Sequence, residues 1–179
     1  MEPIRVLHNI VLMDAGGIET LVMNLYRHID KEQILFDFLV HRPQEGYYEK
    51  EIREYGGKVY RTRPFNPLHM RECKKECMNI LTSHPEYKVF HVHQELGLWT
   101  LDYAHQAGIP TRIAHAHNAK TVVNLKYFFF LYEKMFIKKH CTDMFMCSKP
   151  AGEWLFGKQA VQDGKVKYIN NSIETDRFK

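Results

Sequence analysis

Ile4-Arg5-Val6-Leu7-His8-Asn9-Ile10, then Gly17–Ile29, then Ile34-Leu35-Phe36-Asp37-Phe38-Leu39-Val40 are the stretches that decide the fold. The first and last are short and almost continuously apolar. They are too short for ordinary helices and too unbroken for strands with one wet face. Between them, Ile18, Leu21, Val22, Leu25 and Ile29 recur at the spacing of one helix face. A strand, a helix and a second buried strand of this kind make a parallel unit with a right-handed crossover.

The alternation continues outward. An acidic helix is expected around Tyr47–Tyr55, ended by Gly56-Gly57, then a short strand at Lys58–Arg61 and a loop from Pro64 to Pro67. Helix, strand and helix follow at Leu68–Ser83, Val89–His93 and Leu98–Gln106, the last closed by Gly108 and Pro110. Thr111–Ala116 reads as a strand, about Val122 to Lys139 as a long helix, and Asp143–Cys147 as a strand. Pro150–Phe156 reads as a helix opening after Ser148, and Val166–Ile169 as the last strand. The fold class expected is α/β: a Rossmann-like, doubly wound parallel sheet covered on both faces. Ligands in such sheets gather at the carboxyl ends of the strands, so the residues just after each strand are the ones to inspect.

Composition narrows the function. The chain has 179 residues, 45% hydrophobic and 26% charged, which suits one domain with a real core. No apolar run is long enough to span a membrane, and the start lacks the apolar core of a signal peptide. The cysteines form no Cys-x-x-Cys and read as reduced thiols, so the expected compartment is the cytoplasm. A net charge of +4 does not point to nucleic acid. Yet Lys120, Lys126, Lys134, Lys138 and Lys139 face only Glu133 within that segment, an excess equal to the whole chain's.

Four segments follow strands or stand out. Asp14-Ala15-Gly16-Gly17-Ile18-Glu19-Thr20 joins a strand to a helix start, where free N–H groups favour an anion or a hydroxyl-rich group. A tight turn that needs glycine, with Glu19 in the first helical turn, accounts for it equally well. The segment is neither Gly-x-Gly-x-x-Gly nor a P-loop. In His91-Val92-His93-Gln94-Glu95 the two histidines share a strand face; His93 lies nearer the strand end, and His91 reads as a satisfied core histidine. In His115-Ala116-His117-Asn118 the small alanines leave room for a ligand or for close packing, and a neutral imidazole can bond a hydroxyl or a carbonyl. The two His-x-His pairs could meet across neighbouring strands, but no carboxylate or cysteine completes a metal set, so no metal is expected. Tyr127-Phe128-Phe129-Phe130-Leu131-Tyr132 points aromatics all round a helix, and some must meet a second surface: another domain, a dimer partner or a membrane.

These segments resemble glycosyltransferase family 4, above all its bacterial exopolysaccharide and capsule members, nearly end to end. Gly16-Gly17-Ile18-Glu19-Thr20 looks like the family's Gly-Gly-x-Glu-Thr loop. Gly108-Ile109-Pro110-Thr111-Arg112-Ile113-Ala114-His115-Ala116-His117-Asn118 is similar to the strand that leads to its active-site histidine. Cys147-Ser148-Lys149-Pro150-Ala151-Gly152-Glu153-Trp154 resembles the last helix of its N-terminal domain. Tyr168-Ile169-Asn170-Asn171-Ser172-Ile173-Glu174 is similar to Val-Ile-Pro-Asn-Gly-Ile-Asp at the crossing into a second domain. Here Asn170 stands for Pro, Ser172 for Gly and Glu174 for Asp.

The resemblance implies the N-terminal half of a GT-B enzyme: an acceptor-binding domain over residues 1–170, the start of an interdomain linker over 171–179, and a C-terminal donor-binding domain not contained in the chain. It implies a retaining, nucleotide-sugar-dependent transferase in exopolysaccharide or capsular polysaccharide synthesis, with no cofactor and no metal. The alternative is a non-catalytic Rossmann-like binding or assembly domain. Carried over by position, His117 is the catalytic candidate, and Gly16, Gly17 and Asn118 adjoin the donor phosphates and sugar. Glu19, His93 and Glu95 line the acceptor side. The implied partners are a nucleotide-sugar and a saccharide or lipid-linked saccharide, with peripheral membrane contact through 120–140 at the inner membrane face. The chain by itself is expected to be inactive.

Overall fold

In the computed structural model the described residues are 2–93, 97–119 and 139–170, with Phe128, Leu131, Lys134 and Ile137 between the last two spans. Seven parallel strands form one sheet: β1 Ile4–Ile10, β2 Ile34–Val40, β3 Val59–Arg61, β4 Val89–Val92, β5 Thr111–Ala116, β6 Asp143–Met146 and β7 Val166–Tyr168. Their spatial order is β3-β2-β1-β4-β5-β6-β7. The order reverses between β1 and β4, and that reversal is where an open α/β sheet leaves a crevice.

The helices are α1 Gly17–His28, α2 Glu49–Glu54, α3 Met70–Ser83, α4 Thr100–Gln106, α5 Lys149–Phe156 and α6 Lys158–Gln162. α3 is preceded by a 3₁₀ turn at Pro67–His69, because Asn66 accepts from the Leu68 N–H and Pro67 cannot donate. Ser148 caps α5 by accepting from Ala151 N–H. α6 had no helical signal of its own: five residues packed against α5 are held by tertiary contact. Most of the expected helix from Val122 to Lys139 lies outside the described residues; Phe128, Leu131, Lys134, Ile137 and Lys139 are helical. The linker expected over 171–179 also lies outside them.

Two apolar cores cover the two faces. One joins Ile10, Phe36, Phe38 and Val40 to Val22, Met23 and Tyr26 of α1 and Ile52 of α2. The other joins Leu7, Phe90, Val92, Ala114 and Ala116 to Cys73 and Cys77 of α3, Leu101 of α4 and Leu155 of α5. All four cysteines are free thiols, as the sequence implied. Among the described residues no helix is long and apolar enough to cross a membrane.

Candidate active site at the strand-order reversal

The chain leaves β1 at Ile10 and re-enters helix at Gly17. Within that connection Gly16 N–H donates to the Asp14 carbonyl at 2.9 Å, and Thr20 N–H donates to the Gly16 carbonyl at 2.9 Å. Val11, Leu12, Asp14, Ala15, Gly16 and Glu19 line a cleft of about 460 Å³, a size suited to a small ligand. A larger cleft of about 660 Å³, lined by Glu2, Ile4, Arg5, Lys58 and Lys88, opens at the opposite rim, where β1 and β4 begin. The first lies at the carboxyl ends of the strands, where open α/β sheets bind their ligands.

The two glycines have different duties. A Cβ on Gly16 would meet the Glu19 carboxylate, whereas around Gly17 nothing lies within 4 Å of that position. Gly16 is therefore small so that Glu19 can fold back over the turn, and Gly17 leaves open space at the helix start. Burial and the neighbouring Asp14 both raise the Glu19 pKa above the ordinary carboxylate range.

Histidines from three adjacent strands meet toward the same rim of the sheet. His8 of β1 is in register with His91 of β4, and His91 with Ile113 of β5, so His8, His91, His93, His115 and His117 share one sheet face. His8 Nδ1 lies 2.8 Å from His93 Nε2, and His93 Nδ1 lies 3.1 Å from His117 Nε2. His91 and His93 stack at 4.0 Å between ring centroids, as do His115 and His117. Burial pushes His8 and His115 down to about 3 and His117 down to about 4, and holds His91 and His93 well below the ordinary value. All five are neutral imidazoles at physiological pH, able both to donate and to accept.

The sequence-nominated residues fall as follows. Gly16, Gly17 and Glu19 line or adjoin the β1–α1 cleft. His117 and Asn118 follow β5 on the same rim of the sheet, one strand beyond β4. His117 is half-buried at the mouth of the histidine group. His93 is buried, with both ring nitrogens taken by other histidines, so any influence it has on a ligand passes through His117. Glu95 lies outside the described residues. His91 is not the satisfied core histidine that was expected: its Nε2 has no hydrogen-bond partner and is shut off from solvent.

Two contributors were missed. His8 had no motif around it, and only the β1–β4 pairing brings it to His93. On the other face, Asn9 gives its Nδ2–H to Thr100 Oγ1 at 2.6 Å and receives His41 Nε2–H at 2.6 Å. That network ties β1 to β2 and α4 directly beneath the reversal.

The family model of Glycosyltransferase Family 4 matches residues 15–177. The putative glycosyltransferase EpsF of Bacillus subtilis is 31% identical over 178 residues, a match that covers 97% of this chain and 46% of EpsF. Among solved structures, HepE of Anabaena in complex with UDP and glucose superposes with a TM-score of 0.66 at 14% identity, over 97% of this chain and 46% of HepE. MurG of Acinetobacter baumannii superposes with a TM-score of 0.63 at 9% identity, over 99% of this chain and 48% of MurG. Identities that low speak to the fold alone. The chain spans about half the length of the relatives it matches.

Proposed function

The chain belongs to glycosyltransferase family 4, and from that premise we propose that it is the acceptor-binding half of a retaining, nucleotide-sugar-dependent transferase that builds an exopolysaccharide or capsular polysaccharide. One observation carries the reading: the open helix start at Gly17 and the half-buried His117 emerge on one rim of the sheet, on either side of β4. The open helix start at Gly17 receives the donor diphosphate, which a helix N-terminus favours, with Gly16 shaping the turn before it. His117, neutral because it is buried, bonds a hydroxyl of the transferred sugar, and Asn118 adjoins it. Glu19 belongs to the acceptor side, while His93 orients His117 from behind.

In the transfer step the acceptor oxygen bonds to the anomeric carbon as the bond from that carbon to the leaving diphosphate breaks. The acceptor proton passes to the departing phosphate oxygen. The domain contributes position and preorganised dipoles rather than a nucleophile, and the step calls on no metal ion. The acceptor is a saccharide, carried on a lipid at the inner face of the cell membrane.

The test is a transfer assay of the protein made from its complete reading frame, across UDP- and GDP-sugars with extracted lipid-linked acceptors. Transfer is expected, with His117→Ala lowering kcat by roughly 100-fold or more. Full activity in His117→Ala, or nucleotide-sugar binding with no transfer to any saccharide, would overturn the proposal.

A further inference from the structure

Five imidazoles on one sheet face are a costly way to fill a protein interior. Each brings two polar nitrogens that need partners, where aliphatic side chains would bring none. Some of these needs are met within the group: His93 uses both nitrogens, on His8 and on His117. Others are not. His115 is 4% exposed, and neither of its ring nitrogens has a hydrogen-bond partner. Its ring lies 4.0 Å from His117 and 5.5 Å from His93, measured between centroids. A buried imidazole with both nitrogens idle, set among other imidazoles, carries a lone pair that a cation would take.

We propose that His93, His115 and His117 form a binding site for a divalent cation of the zinc class. One ring nitrogen from each lies within 4.8 Å of the other two. Between His93 Nδ1 and His117 Nε2 the separation is 3.1 Å, close to the edge of about 3.3 Å that a tetrahedron with bonds of about 2.0–2.1 Å requires. One of the three rings also has an outer-shell partner. His93 Nε2 lies 2.8 Å from His8 Nδ1; with the proton on His93 Nε2 that contact holds the ring and leaves the Nδ1 lone pair for the ion. When the ion enters, the proton between His93 and His117 moves to His117 Nδ1, and no net charge is lost from the protein. His117, half-buried at the rim, gives access from solvent, and the fourth position takes water or an oxygen ligand. A set made only of imidazoles suits Zn²⁺, Co²⁺, Ni²⁺ or Cu²⁺ and not Mg²⁺ or Ca²⁺.

His8, His91 and His93 form a second triad with nitrogens equally close. It would consume the His8–His93 hydrogen bond and lies further from the strand ends, so it has neither the second shell nor the way in. An ion on His117 Nε2 takes the nitrogen that the proposed function gives to the sugar, so a chain holding the cation is not the chain that transfers. Metal binding tests the site, and transfer by the metal-free protein tests the function.

The test uses the tag-free chain, stripped with a chelator and titrated with Co²⁺, Zn²⁺ and Mg²⁺. One Co²⁺ per chain is expected, with the strong visible d–d bands of tetrahedral nitrogen ligation, displaced by Zn²⁺ and unaffected by Mg²⁺. His115→Gln and His117→Gln are each expected to weaken binding about tenfold or more, and His91→Gln to leave it intact. Absence of stoichiometric Co²⁺ binding, a pale octahedral spectrum, or loss of binding in His91→Gln with retention in the other two would overturn the site. Should His115→Gln fail to fold, the rim variant His117→Gln decides the same question.

Discussion

The Glu19 carboxylate occupies the space beside Gly16: a Cβ added there would collide with Glu19 Oε2, while the same addition at Gly17 meets nothing within 4 Å. The two neighbouring glycines therefore separate packing from ligand approach, and substitution reads them separately. Gly16→Ala has only a flexible carboxylate to displace. Gly17→Ala sits unhindered in the first helical turn, where alanine is preferred over glycine by up to about 1 kcal/mol. Neither is expected to lower the urea midpoint appreciably. If a ligand's phosphate comes up against the helix start, Gly17→Ala should raise the donor KM of the complete enzyme by roughly tenfold with stability kept. Unchanged KM would remove the diphosphate from this turn.

Acid should unfold the domain earlier than its carboxylates alone would dictate. His8 and His41 are buried, with pKa values pushed by burial down to about 3 and about 4 from an ordinary 6.5. Above pH 6.5 both states are neutral and nothing is linked. As pH falls below that, the unfolded chain takes up protons that the folded chain refuses, so stability drops by about 1.4 kcal/mol per pH unit per histidine until the folded values are reached. These two residues alone predict a loss of about 4 kcal/mol between pH 7.5 and pH 5. The rest of the histidine group adds to it. Urea titrations at those two pH values, with chelator present, provide the check, and equal midpoints would contradict the neutral, buried assignment.

The architecture was open to reading because it rests on local period. Ile4–Ile10 and Ile34–Val40 matched their strands end to end, and the apolar face of Gly17–Ile29 ran one residue past the helix. Boundaries failed where chain geometry overrides pattern. Leu98–Gln106 begins as helix only at Thr100, and the strand expected over Asp143–Cys147 ends one residue early at Met146. The site was half legible. His-x-His after two strands is visible in a sequence, and so is a glycine turn. That His8 joins them depends on β1 lying beside β4, a fact of strand order that no spacing encodes. The role of Gly16 was hidden for a like reason, since the group that needs its hydrogen is the Glu19 side chain three residues on.

Asp37 is an interior charge on β2, one strand in from the sheet edge. It is fully buried and accepts from Arg5 at 2.6 Å, from Tyr87 Oη–H at 2.6 Å and from Lys58 N–H at 2.6 Å. Removing the carboxylate strands an arginine and a backbone donor together, so Asp37→Ala is expected to cost about 3–5 kcal/mol. Tyr87→Phe removes one donor from an anion that keeps the others, and about 1.5–3 kcal/mol is expected. Denaturant midpoints should rank Asp37→Ala well below Tyr87→Phe, and both below wild type. Equal, small effects would mean that Arg5 and Asp37 pair in water rather than in the interior.

Membrane contact through the basic aromatic segment can be tested residue by residue, because the structure removes one of its charges from play. Lys134 donates to the Trp154 carbonyl and lies 4.9 Å from the Trp154 ring centre, so it faces the protein and not a lipid surface. Phe128 is 65% exposed and Leu131, one turn along, 37% exposed. If these two enter the interface, Phe128→Ser should weaken sedimentation of the chain with anionic vesicles by roughly tenfold, the share expected from one partly inserted aromatic ring. Lys139→Gln, at an exposed position, should weaken it at low salt and lose its effect at high salt, as a screened charge does. Lys134→Gln should leave vesicle binding alone and lower the melting temperature instead. Vesicles that fail to bring the chain down at low salt would assign the exposed Phe128 to a protein partner.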